Sequence, residues 1–307
     1  MIPTPDQIDA AARRIEPHVH RTPVMRTAAL WEREIAVKLE NSQVTGTFKA
    51  RGAFNSLLST EVPKGGVVAA SGGNHGAAVA HAARALGHPA TIFVPEIASP
   101  SKQALIRRTG ADLRVVAGAY ADALRAAQSF EAEHGAMQVH AYDSTGTLAG
   151  QGTLMREWEE QGLEADTVLI AVGGGGLIGG ALAWLQGRRK VVAVESEGTA
   201  TLHTALRQGR DTEIDVSGIA ADALGARRIG AMAFELATRH GVESVLVTDA
   251  AIRDAQETLW FALRQWVEPA GAAALAALRS GAYVPAPDER VAVLVCGANP
   301  APGPFDQ

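Results

Sequence analysis

Short apolar runs along the chain alternate with stretches of helical period rich in alanine. VVAAS at 67–71 precedes AAVAHAARALG at 77–87, ATIFVP at 90–95 precedes SKQALIRRTG at 101–110, and LRVVAG at 113–118 precedes YADALRAAQSFEAEHG at 120–135. This rhythm of strand, turn and helix predicts a parallel sheet with helices on its faces. A second set follows AYDSTGTLAGQGT: DTVLIAVGGGG at 166–176, then LIGGALAWLQ, KVVAVES at 190–196 and RVAVLVCGAN at 290–299. VLIAV and VAVLV are apolar at every position, as strands covered on both faces must be. AAIRDAQETLWFALRQW reads as an amphipathic helix, EPAGAAALAAL as a helix of small residues suited to close packing, and GAYVPAPDER as a Pro-rich surface connection. The pattern therefore predicts two α/β units, each built on a mainly parallel sheet.

Composition narrows the function classes. The 307 residues suit two compact domains, and 47% hydrophobic with 20% charged residues is an ordinary globular balance. A formal net charge of -5 with dispersed Lys and Arg provides no footprint for nucleic acid. The single cysteine, Cys296, can form neither an internal disulfide nor the usual cysteine framework of a structural zinc site. The N-terminal segment carries charge throughout, and no stretch reaches a membrane-spanning length, so a cytoplasmic protein with a small-molecule partner and no membrane contact is expected.

Three glycine-rich turns follow apolar runs and are each predicted to open a helix: SGGNHG at 71–76, GGGG at 173–176, and CGAN at 296–299. Glycine allows a sharp turn and close approach to a ligand, and a helix N-terminus offers unpaired N–H groups to an anion. Four consecutive glycines are entropically costly in an unused loop, so VGGGGLIGG reads as a phosphate or carboxylate cradle. Its match to the dinucleotide fingerprint fails at the third glycine, which falls at Gly179. SGGNHG taken alone reads as a helix entry capped by Ser71 or Asn74, with His75 solvated or packed. Lys49, after Phe48 at an expected helix start in NSQVTGTFKARGAFN, is by itself a solvated charge or an amine held beside apolar groups for nucleophilic use. Arg51 is close enough to disfavour its proton, or is structural.

Together these segments resemble the fold-type-II pyridoxal-phosphate enzymes, and within them the threonine/serine dehydratases and the related serine racemases. The likeness runs through RTPV, KLENSQVTGTFKARGA, SGGNHG, PEIASPSKQALIRRTGA, AGQGT, VGGGGLIGG, VAVES, VEPAGAAALAAL and CGAN. It implies a tryptophan synthase β-like fold, with a large cofactor-binding domain from 1–57 and 144–307 and a small domain, 58–143, that closes over the substrate. Lys49 becomes the lysine that holds the cofactor as an imine, and Phe48 a neighbour of its ring. Asn74 becomes the partner of its hydroxyl, and Gly173, Gly174, Gly175, Gly176 and Leu177 the phosphate cradle. Cys296 takes the place facing the ring nitrogen. Ser71, Gly72, Asn74 and His75 form the loop that receives the substrate. The implied activity is an ammonia-lyase converting L-threonine or L-serine to 2-oxobutanoate or pyruvate with release of ammonia, by a homodimer.

A thiol at position 296 shares a hydrogen bond with a neutral ring nitrogen and makes the cofactor a weaker electron sink, which favours β-elimination over transamination. Gly72 stands where racemases carry a second acid/base serine, and Tyr142 where dehydratases commonly have Phe and racemase-like members Asn; both disfavour racemisation. Glu195 and the Thr199 carbonyl match two members of a divalent-cation site, but Thr201 replaces its acidic partner. Ala223 replaces a glycine near the ring. Serine racemase and hydroxyaspartate ammonia-lyase remain alternatives, as do a β-replacement synthase and a non-catalytic pyridoxal-phosphate-binding protein.

Overall fold

Residues 1–96, 98–118 and 120–300 are described here from a computed structural model. Among them ten strands form two sheets: β1 (Val24–Thr27), β2 (Ile35–Leu39), β3 (Val67–Ala70), β4 (Ala90–Pro95), β5 (Asp112–Val116), β6 (Met137–Gln138), β7 (Thr167–Ala171), β8 (Lys190–Ser196), β9 (Glu243–Val247) and β10 (Val291–Val295). The first sheet has the order β1-β2-β10-β7-β8-β9, and the second β5-β4-β3-β6. Every pairing is parallel except the β1–β2 edge. The predicted alternation thus corresponds to two helix-covered parallel sheets. Strands β3, β7 and β10 are buried at every residue, which is why they read as unbroken apolar runs. Half-exposed β1 and β9, the mixed β2 and the two-residue β6 have no such run and carry no signal in the pattern.

Three helices set the site's geometry by touching backbone to backbone. A Cβ on Gly150, in the helix Thr145–Glu160, would lie 2.5 Å from the Arg51 carbonyl oxygen in the helix Lys49–Leu58. A Cβ on Gly180, in the helix Gly176–Leu185, would lie 2.6 Å from the Gly152 nitrogen. The glycines of AGQGT and LIGG therefore bring the helix that begins at Lys49 and the helix that begins at the glycine loop against one common support.

Beneath the first helix lies a buried ionic cluster. Arg51 donates through Nε to Glu40 Oε1 at 2.5 Å and through Nη2 to Glu40 Oε2 at 3.1 Å and Glu157 Oε2 at 2.9 Å; Lys38 Nζ donates to Glu157 Oε1 at 2.5 Å and to the Thr22 carbonyl at 2.9 Å. Two cations face two carboxylates, so the cluster carries no net formal charge, as burial requires. Arg51 is structural and plays no part in depressing the Lys49 proton.

CGAN opens no helix among the described residues: after β10, Gly297 makes an isolated antiparallel bridge with Thr47. A Cβ on Gly297 would lie 3.1 Å from Thr47 Cγ2 and closer still to the Glu268 carboxyl, so the glycine serves close approach rather than a helix start. The final residues, 301–307, lie outside the described part.

Candidate active site

The helix Lys49–Leu58 begins at Lys49 itself, after a turn in which Thr45 adopts a left-handed φ of 64°. The Lys49 amine is enclosed, donates to the Ala141 carbonyl at 2.9 Å and lies 5.2 Å from the centre of the Phe48 ring. Removal from water depresses its pKa from 10.5 to about 8, against the smaller opposing influence of Cys296 and Glu268. Enclosure therefore does what the sequence left open: it makes this lysine an available amine.

The glycine loop faces the same cavity. Gly175 has a φ of 91°, open only to glycine without strain, and caps the helix Gly176–Leu185 with no side chain of its own. A Cβ on Gly173 would lie 2.9 Å from Leu224 Cα, and one on Gly176 would lie 2.9 Å from Tyr142 Cα. Tyr142 covers the loop and directs its hydroxyl to the Arg228 carbonyl at 3.4 Å. Bare N–H groups at the start of this helix are thus presented to the cavity that Lys49 and Phe48 line, with Leu177, Ala223 and Leu224 on its wall.

A polar chain closes the opposite side. Asn74 Nδ2 donates to Glu268 Oε1 at 2.7 Å, and Asn74 Oδ1 accepts from Asn299 Nδ2 at 2.9 Å. An amide nitrogen has two protons, so Asn74 keeps one for a ligand. Glu268 is buried; its second oxygen has no hydrogen-bond partner within the protein, and desolvation raises its pKa to about 7. The sequence reading gave Glu268 no role. Its only signal was a carboxylate heading a helix otherwise made of small residues, and the Asn74 amide that meets it stands 194 positions back in the chain. Cys296 is buried on the cavity wall, donates its thiol to the Ala270 carbonyl at 3.3 Å, and has its pKa pushed up by burial, so it remains a thiol.

The substrate-loop residues gather at the mouth. The helix Asn74–Ala85 is capped by Gly73 with no side-chain hydrogen bond, so neither Ser71 nor Asn74 caps it; Ser71 Oγ instead accepts from the Gly73 N–H at 3.3 Å. His75 is packed, with Nε2 2.8 Å from the Val139 carbonyl, and burial lowers its pKa to about 3, which keeps the ring neutral. A Cβ on Gly72 would lie 2.7 Å from the Ala98 methyl, so a hydroxyl-bearing side chain has no room there without displacing Ala98.

Glu195 lies outside this cavity and serves a helix. Its two carboxylate oxygens accept from the N–H groups of Leu202 and His203, both at 2.7 Å, and Ser244 Oγ donates at 3.2 Å. The Thr201 hydroxyl lies 2.7 Å from the Ala226 carbonyl and 3.3 Å from the Thr199 carbonyl. These oxygens face donors rather than one another, and no group of three or more metal-binding side chains occurs among the described residues. The set does not fit a divalent cation.

Residues 15–297 match the model of the pyridoxal-phosphate dependent enzymes. The chain belongs to this family. Among relatives of this pyridoxal-phosphate enzyme, L-threonine ammonia-lyase of Thermotoga maritima is 36% identical over 304 residues, covering 96% of this chain and 75% of its own. Phenylserine dehydratase of Ralstonia pickettii is 38% identical over 267 residues, covering 85% and 82%. The structure of maize serine racemase superposes with a TM-score of 0.91 at 32% identity, covering 97% of this chain and 94% of that one. The cavity fits the family's cofactor on its own evidence. It offers an enclosed amine of lowered pKa, a loop in which side chains would strike Leu224 or Tyr142, an amide with one free N–H, and a buried carboxyl oxygen without a protein partner.

Proposed function

We propose that this enzyme is an ammonia-lyase that removes water from L-threonine or L-serine by one-base β-elimination, giving 2-oxobutanoate or pyruvate and ammonia. The observation that carries this reading is the pairing of one enclosed amine, Lys49, with a mouth loop that has no room for a second acid/base group at Gly72. Pyridoxal phosphate, when bound, supplies the electron withdrawal that loosens the Cα proton and the β-substituent. Gly173–Gly176 and Leu177 hold its phosphate through backbone N–H groups, Asn74 its hydroxyl, Phe48 its ring, and the Cys296 thiol its ring nitrogen. Lys49 Nζ, whose enclosure lowers its pKa to about 8, takes the Cα proton. The loop from Ser71 to His75 orients the substrate through the first N–H groups of its helix. The hydroxyl leaves with a proton as water, and the released enamine hydrolyses to the oxo acid and ammonia.

Domain limits at 1–57 with 144–307 and at 58–143, a cytoplasmic setting and a homodimer belong to the same proposal. The last is supported by exposed aromatic side chains: Trp260 and Trp266 meet edge to face with ring centres 5.7 Å apart, and Phe261 is 70% accessible. The same proposal assigns no cation to Glu195 and Thr199, a reading supported by the Glu195 carboxylate accepting from the N–H groups of Leu202 and His203. The test is 2-oxo acid formation from L-threonine, L-serine, D-serine and hydroxyaspartate, with chiral analysis of unreacted serine and a parallel arm of O-acetylserine with sulfide. Oxo acid from the L-hydroxy amino acids with unreacted serine remaining L supports the reading; rapid scrambling of serine, or formation of cysteine and acetate from O-acetylserine and sulfide without oxo acid from the hydroxy amino acids, overturns it.

A further inference from the structure

Lys102, in the helix Pro100–Arg107, is 6% exposed, yet it belongs to no core ionic cluster. Its ammonium reaches across the cleft to the turn Ala221–Leu224, where it meets the Asp222 carboxylate at 3.2 Å and the Asp222 carbonyl at 3.3 Å. The other ion pairs recorded for residues 58–143, Arg114–Asp112 and Arg125–Asp122, stay within that segment. Both Lys102 contacts are long for a charged donor, and the Asp222 side chain is 64% exposed, so its attraction is screened. An ammonium has three protons, which leaves one uncommitted in a buried place. A Cβ on Gly73 would lie 3.9 Å from Lys102 Nζ, so this under-satisfied cation sits directly over the loop whose uncapped helix start faces the cavity.

We propose that Lys102 is a substrate-binding residue that completes the site for the α-carboxylate, adding a full positive charge to the N–H groups at the start of the helix Asn74–Ala85. The inference rests on the lyase reading for the location of the carboxylate and adds a residue to it. Asp222 then competes weakly with the substrate for the same ammonium, and its exposure lets it swing aside toward water as the carboxylate arrives.

This competition separates binding from a mere clamp between the two lobes. Holoenzyme is titrated with L-alanine, which has no β-leaving group, and with L-alaninamide, which has no carboxylate, reading the absorbance of the bound cofactor. Lys102→Met weakens L-alanine about ten- to a hundredfold, as loss of a charge-assisted hydrogen bond does, and leaves L-alaninamide within about twofold. Lys102→Arg restores part of the affinity, and Asp222→Asn leaves L-alanine binding unchanged or tighter. The proposal is overturned if Lys102→Met weakens both ligands alike, if Asp222→Asn weakens L-alanine as Lys102→Met does, or if the wild type binds both ligands equally. Failure of the lyase reading is distinct: it appears as no oxo acid from L-threonine or L-serine while the alanine titration still reports on Lys102.

Discussion

The depressed pKa of Lys49 makes a quantitative prediction about how the enzyme takes up its cofactor. A fall from 10.5 to about 8 corresponds to about 3 kcal/mol of preference for the neutral amine. At pH 7 about one-tenth of enclosed Lys49 is neutral, against roughly one part in 3,000 for a lysine in water, a ~300-fold gain in reactive amine. Cofactor-free protein mixed with pyridoxal phosphate between pH 6 and 10 should therefore develop the absorbance of the lysine-bound form about tenfold faster per pH unit up to pH 8, then level off. Nα-acetyllysine run in parallel corrects for the cofactor's own titration and should keep accelerating to about pH 10. Lys49→Ala should give no such absorbance. The folded protein holds its Lys49 proton less tightly than the unfolded chain, so the unfolded state binds more protons between pH 8 and 10.5. The cofactor-free protein gains stability as pH rises through that window, and the gain is absent below it. A loading rate that follows Nα-acetyllysine past pH 9 without levelling would refute the claim that enclosure prepares this amine.

Four further outcomes follow from the same geometry. Glu268→Gln removes a negative potential that raises the Lys49 pKa, so the loading midpoint should move below pH 8 with the fold intact by circular dichroism; an upward move contradicts the assigned influence. Arg51→Met strands Glu40 and Glu157 with Lys38 alone, at a cost of about 3–5 kcal/mol, and calorimetry should record a fall in Tm of about 10 °C; a change under a few degrees means the cluster is better solvated than its burial indicates. Magnesium added to EDTA-treated wild type should leave Tm in place, whereas Thr201→Asp, which exchanges the bridging hydroxyl for a second carboxylate beside Glu195, should acquire a magnesium-dependent rise. Phe261→Asp should shift the mass measured by light scattering from dimer to monomer, and a wild type already monomeric removes the dimer from the proposal.

The parts of this molecule legible in its sequence are those in which backbone conformation or burial on both faces constrains residue type locally. Four glycines in a row, a turn from strand to helix, and the all-apolar runs VLIAV and VAVLV each announce themselves within ten residues. Glu268 and Arg51 do not, because a charge is exposed or buried according to what distant segments bring to it. Glu268 gains its meaning from Asn74 and Asn299, and Arg51 from Glu40 and Glu157. The segment TFKARGA shows how near the legible and the illegible can lie. Lys49 and Arg51 are two positions apart, and at 3.6 residues per turn they point roughly 200° apart around the helix. One projects into the cavity and gives up its proton to desolvation; the other projects to the far side and keeps its charge because two carboxylates surround it. Burial acts on both cations: Lys49, only weakly opposed by Glu268 and Cys296, becomes a base, while Arg51, a guanidinium held by two carboxylates in direct contact, becomes a strut. That difference is written at positions 40 and 157, on the far side of the helix from the site itself.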